Sequence, residues 1–166
     1  MIEARRRKTT PAAPLKGVRI LIVESGYYED IADTLLDGAR RALEAAGAKY
    51  DVVTVPGALE IPQAVVIALG AARGARAYEG VVALGCVIRG ETSHYDHICE
   101  STADWLQQLA VEGGLPIGYG ILTCESEAQA LIRATPGGNG RDKGGEAVRA
   151  CLAMVTIKRR FAGHES

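Results

Sequence analysis

The chain has 166 residues and a mass of 17.5 kDa, enough for one domain whose core needs no disulfide or metal staples, and cramped for two. Hydrophobic residues make up 48% and charged residues 23%, the balance of an ordinary globular chain, which excludes disordered and fibrous classes. Nineteen Lys and Arg against twenty Asp and Glu leave a net charge of −1, so no global field draws the protein to nucleic acid or an anionic membrane, and any anion site must be local.

Residues 1–16 hold five basic residues, four of them the run Arg5 to Lys8, against the single acid Glu3. They read as a flexible basic arm, and no apolar stretch of the secretory type follows before Pro11 and Pro14. The longest apolar run, Val81 to Ile88, is eight residues, where a spanning helix needs roughly 20. The expected compartment is the cytoplasm, with neither a membrane nor nucleic acid as partner. Cys86, Cys99, Cys124 and Cys151 stand apart without a CxxC pair and read as reduced, mostly buried thiols.

The run Val18 to Glu24 is continuous and rich in β-branched residues, as in a strand buried on both faces, and Ser25-Gly26-Tyr27-Tyr28 breaks it. From Asp30 the period changes. Ile31, Leu35, Ala39, Ala42 and Ala46 share one helical face, and Gly47 ends the helix. The same unit recurs as a strand at Tyr50 to Val55 with a helix from Ile61 to Arg73, then a strand at Gly80 to Ile88. The next helix carries Ile98, Thr102, Trp105 and Leu109 and stops at Gly113-Gly114. A strand at Ile117 to Cys124 leads to a short helix near Ala128 to Ala134, and the loop Thr135 to Gly140 precedes a last helix, Lys143 to Phe161. The apolar face of that helix is read as Ala147, Ala150, Met154, Ile157 and Phe161.

Four buried strands alternating with helices predict a three-layer α/β/α sandwich on a four-stranded parallel sheet, flavodoxin-like in outline. In such sheets ligands bind beyond the carboxyl ends of the strands. The search area is therefore Ser25 to Tyr28, Pro56 to Glu60, Val87 to His94 and Thr123 to Ser126. Arg89 to His94 sets small residues, two hydroxyls and free N–H groups at a helix start, which makes either an anion site or a simple cap by Thr92 or Ser93. Arg133 offers the guanidinium that suits a phosphate. His94 is the acid/base candidate, since imidazole titrates nearest neutrality. The set His94, Asp96, His97 and Cys99 lacks the i, i+4 spacing that converges on one metal ion. Tyr27, Tyr28 and Tyr119 could stack on a planar ligand or pack the sheet margin.

These residues carry a resemblance. Val55 to Pro62 (VPGALEIP), Gly85 to Asp96 (GCVIRGETSHYD), Gly120 to Thr123, Gln129-Ala130 and Arg133-Ala134 closely resemble the 6,7-dimethyl-8-ribityllumazine synthase family. The similarity runs from about Val18 to Phe161, which identifies residues 17–162 as a single domain of that kind. It implies a transferase of riboflavin biosynthesis that condenses 5-amino-6-(D-ribitylamino)uracil with 3,4-dihydroxy-2-butanone 4-phosphate, releasing phosphate and water, without metal or organic cofactor. By the same resemblance Tyr27 stacks on the pyrimidine, Ala58, Leu59 and Glu60 contact the ribityl chain, and the backbone at Val87 and Ile88 reads the heterocycle edge. Gly90, Glu91, Thr92 and Arg133 hold the phosphate, His94 shuttles protons, and Tyr119 and Lys143 come from a neighbouring subunit or its margin.

The chain departs from the family pattern at Tyr28, where Asn is common, and at Tyr27, where Phe or Trp is usual. Its connection Thr135 to Asp142 is also about two residues longer than in members that form icosahedral shells, which implies a homopentamer. A non-catalytic flavin- or lumazine-binding member would share these pockets, and the presence of His94 and Arg133 argues against it. An α/β domain recruited for protein interaction would leave the PGALEIP and GETSH segments unexplained.

Overall fold

A computed structural model of the chain describes residues 15–163; the basic run Arg5 to Lys8, and the predicted arm up to residue 14, lie outside the described residues. Four strands and five α-helices follow in strict alternation up to the last two helices. They are β1 (Arg19–Ser25), α1 (Glu29–Ala45), β2 (Lys49–Val55), α2 (Glu60–Ala71), β3 (Gly80–Ile88), α3 (His94–Gly113), β4 (Ile117–Cys124), α4 (Glu127–Ala134) and α5 (Lys143–Phe161). The sheet is wholly parallel in the order β2-β1-β3-β4. A parallel sheet needs crossovers, and these helices cover both its faces, giving the predicted three-layer α/β sandwich.

Alternation along the strands divides the core in two. Ile20 and Ile22 of β1, with Val82 and Leu84 of β3, pack under α1, α4 and α5. Leu21 and Val23, with Val81, Ala83 and Val87, pack under α2 and α3. The central strands β1 and β3 are buried almost throughout, as their unbroken apolar runs require. The edge strands are not: Val53 and Thr54 of β2 and Tyr119 and Thr123 of β4 are exposed, so the expectation of four buried strands holds for the centre of the sheet and fails at its edges. At the β2 edge an ion pair joins Arg19 to Asp51 at 2.6 Å, and Tyr78 donates to the same carboxylate at 2.7 Å. The Tyr78 hydrogen bond, then the arginine, hold the Asp51 carboxyl below its usual range.

Two helices differ from their predicted faces. On α5 the buried residues are Ala147, Val148, Cys151, Leu152 and Val155, while Ala150, Met154, Ile157 and Phe161 face outward. The cause is close approach. A Cβ at Gly144 would strike the Leu35 carbonyl of α1, and one at Gly118 would strike the Ala147 carbonyl. Glycines on all sides let α5 sink between α1 and β4, and the face that sinks is rotated from the one that merely looks apolar. On α3 only Thr102 and Leu106 are buried, and Trp105 is 54% exposed. Gly47 and Gly114, each with positive φ, end α1 and α3 as expected. Among the described residues no helix is long and apolar enough to cross a membrane.

Candidate functional site

Beyond the carboxyl ends of β1, β2 and β3 lies a cleft of about 420 Å³, where open parallel sheets bind ligands. Three chain segments build it. After β1 the chain turns through Gly26 and places Tyr27, 72% exposed, at the mouth. Tyr28 lies against it edge-on, with ring centroids 5.0 Å apart and planes at 70°. Tyr28 is half-buried, and burial raises its phenol pKa. Tyr27, the more exposed of the two, offers the ring surface a planar ligand can stack on.

The second wall is the turn Pro56 to Glu60, which opens α2. Its tight form is held by the Glu60 N–H donating to the Gly57 carbonyl at 3.2 Å and the Ile61 N–H to the Ala58 carbonyl at 3.2 Å. Ala58 is buried, Leu59 is exposed, and the Glu60 carboxylate folds back over Gly57. The third wall is Val87 and Ile88 at the end of β3 with Gly90, Thr92 and His94 at the start of α3. Ser93 occupies the cap position, yet its side chain caps nothing; the His94 N–H instead donates to Thr92 Oγ1 at 3.3 Å. Of the two capping candidates, Ser93 makes no cap bond and Thr92 takes the His94 N–H, and the start of α3, with its positive dipole end, opens on the cleft.

Arg89, which sequence reasoning passed over, governs the electrostatics of this end. Its guanidinium lies 4.2 Å over the Tyr95 ring, donates to both Glu125 oxygens at 3.1 and 3.2 Å, and reaches Asp96 at 3.3 Å. Two carboxylates beside an anion-ready helix start are thereby paired off, and hydrogen bonding to Glu125 raises the Arg89 pKa further. The same contacts tie the exit of β4 to the first turn of α3. No local motif marks Arg89, because its partners come from two separate places, the first turn of α3 and the exit of β4.

Nine predicted site residues line the cleft: Tyr27, Ala58, Leu59, Glu60, Val87, Ile88, Gly90, Thr92 and His94. Four do not. Glu91 is exposed in the loop beside it. Tyr119 lies in a separate depression between β4 and α3 with Leu106 and Ile117. Arg133 donates to the Gln129 carbonyl at 3.5 Å within α4, and Lys143 pairs with Glu146 in the first turn of α5. The exit of β4, Thr123 to Ser126, contributes nothing to the lining. Conversely Ser25, Cys86, Tyr95 and Ile98 line it without having been assigned a role in the site. Burial pushes the Cys86 thiol up to about 12, so this cysteine is an apolar wall and not a nucleophile. Among the described residues no group of His, Cys, Asp or Glu side chains is placed to hold a metal ion.

The sequence profile described as 6,7-dimethyl-8-ribityllumazine synthase matches residues 17–159. Curated relatives carry the same description. A 6,7-dimethyl-8-ribityllumazine synthase of Azorhizobium caulinodans is 54% identical over 96% of this chain and 98% of its own. A 6,7-dimethyl-8-ribityllumazine synthase 1 of Rhizobium meliloti is 53% identical over 92% and 99%, and one of Rhodopseudomonas palustris 49% over 98% and 99%.

Proposed function

The chain belongs to the 6,7-dimethyl-8-ribityllumazine synthase family, transferases that form a lumazine on the way to riboflavin, and from this premise we propose which substrates it joins and which residues join them. The reaction is the condensation of 5-amino-6-(D-ribitylamino)uracil with 3,4-dihydroxy-2-butanone 4-phosphate, giving 6,7-dimethyl-8-ribityllumazine, phosphate and water. The observation that carries it is one cleft in which an exposed tyrosine, a backbone-rich turn and the start of a helix meet. A flat heterocycle, a polyol and a phosphate need those three surfaces respectively.

In this reading Tyr27 stacks on the pyrimidine and the backbone at Val87 and Ile88 pairs with its edge. Ala58, Leu59 and Glu60 contact the ribityl chain. Gly90, Glu91 and Thr92 hold the phosphate at the start of α3, and His94, on the same first turn, moves protons. The substrate's own amines are the nucleophiles. Imine formation, phosphate elimination and ring closure each shift protons, so the protein's task is chiefly to orient two reactants, with His94 adding a factor of roughly 10²–10⁴.

Tyr119, Arg133 and Lys143 lie outside the cleft of their own chain. Tyr119, 43% exposed on the edge strand β4, is suited to reach the cleft of a neighbouring copy, as shared sites in a homopentamer require. Arg133 and Lys143 supply positive charge at that shared margin.

Mixing the purified protein with both substrates and following lumazine fluorescence tests the proposal directly. Protein-dependent formation above the uncatalysed rate is expected. A folded protein that binds lumazine or riboflavin without accelerating the reaction would replace the proposal with a binding role.

A further inference from the structure

Three buried side chains hold a polar atom with no hydrogen-bond partner among the described residues: Glu24, Ser25 and Thr102. Thr102 sits on the buried side of α3, away from the cleft, and Glu24 keeps its other oxygen bonded to Thr54 at 2.8 Å. Ser25 alone lines the cleft, with only 3% of its surface exposed. It is the last residue of β1, pairs with Val55, and sits beside Gly85, where an added Cβ would stand 3.5 Å from its own.

A buried hydroxyl without a partner carries a desolvation cost that alanine at the same place would not. The backbone of Ser25 is registered with Val55 of β2, while the β1–β3 pairing ends one residue earlier, at Glu24. A polar group of a ligand entering the cleft would offset that cost. Ser25 stands two residues before Tyr27 and is registered with Val55, which leads into the turn Pro56 to Glu60. The phosphate-suited loop Gly90 to His94 leaves a different strand.

We propose that Ser25 is a specificity-determining residue whose hydroxyl hydrogen-bonds the ribitylaminouracil at the floor of the cleft. A hydroxyl both donates and accepts, so it can meet either a carbonyl or an N–H of that substrate. The inference rests on the function proposed above and adds a contact to it.

Steady-state kinetics of Ser25→Ala and Ser25→Cys, varying each substrate in turn, test it. The cysteine variant keeps the volume and loses the strong hydrogen bond. Both variants should raise KM for the ribitylaminouracil about tenfold, leave KM for the butanone phosphate within about twofold, and melt no lower than the parent. An unchanged KM for the ribitylaminouracil in Ser25→Ala, or an equal rise for both substrates, overturns the assignment of Ser25 alone. A parent protein that makes no lumazine overturns the underlying function, and Ser25 with it.

Discussion

His94 and the buried cysteines show how placement decides what a titratable side chain can do. His94 is exposed at the cleft, within the first turn of α3, and makes no ion pair among the described residues. Its replacement by alanine should lower kcat on the order of 10²-fold without abolishing turnover, because orientation of the two reactants survives. Steady-state rates with both substrates saturating measure this, and an unchanged kcat would remove His94 from the chemistry. The cysteines behave oppositely. Burial holds the thiols of Cys86 and Cys151 protonated up to about 12, whereas an unfolded chain releases thiol protons near 8.5. Below that pH both states keep their protons and the thiols leave stability unchanged. Between about 8.5 and 12 only the unfolded state gains by ionising, so stability falls as pH rises, by up to about 1.4 kcal/mol per thiol per pH unit. Urea titrations at pH 8 and pH 10 should show the fall, and Cys151→Ala should show a smaller one.

At the scale of elements, helix seating is set by glycine. Gly144→Ala would raise helix propensity yet drive a methyl into the Leu35 carbonyl, and the clash should win by about 2 kcal/mol. Gly70→Ala on α2 meets open space and should instead stabilise by about 0.5 kcal/mol. Denaturant midpoints of the two variants should move in opposite directions. The same contacts explain what the residue pattern did and did not reveal. The strands β3 and β4 were legible to the residue, since continuous apolar runs between turn signals have one reading in an alternating α/β chain. The face of α5 was not, because seven-residue patterning counts Met154, Ile157 and Phe161 as core, while glycine contacts from α1 and β4 turn the helix toward Val148 and Leu152. The cleft shows the same divide. Tyr27, the turn at Pro56 to Glu60 and the loop at Gly90 to His94 follow from the strand ends that precede them. Arg89 and Ser25 fall in the same strand-end segments, but their roles do not follow, for these lie in partners, or in the lack of one, that only the folded chain defines.

The whole molecule leaves much apolar surface in water. Trp105, Val111 and Tyr119 are exposed along α3 and the edge strand β4, and Met154, Ile157 and Phe161 along α5. Surface of that kind marks places where copies meet. Native mass measurement should find five chains, and sixty would overturn the pentamer. Trp105 is the only tryptophan, so its emission should move to longer wavelength when the assembly is diluted apart. The strand order carries a consequence in time as well as in space. Each neighbour pairing in the sheet joins strands separated by a crossover, and the central one sets Ile20 against Gly80, sixty positions along the chain. Such non-local contacts fold slowly, since a long loop must close before any of them forms. On the ribosome, β1 therefore waits for its inner neighbour until residue 88 has emerged, and the cleft has no third wall until the start of α3 follows it. Refolding should therefore be limited by the β1–β3 pairing, so that the cleft and the central strand pair form in the same kinetic phase.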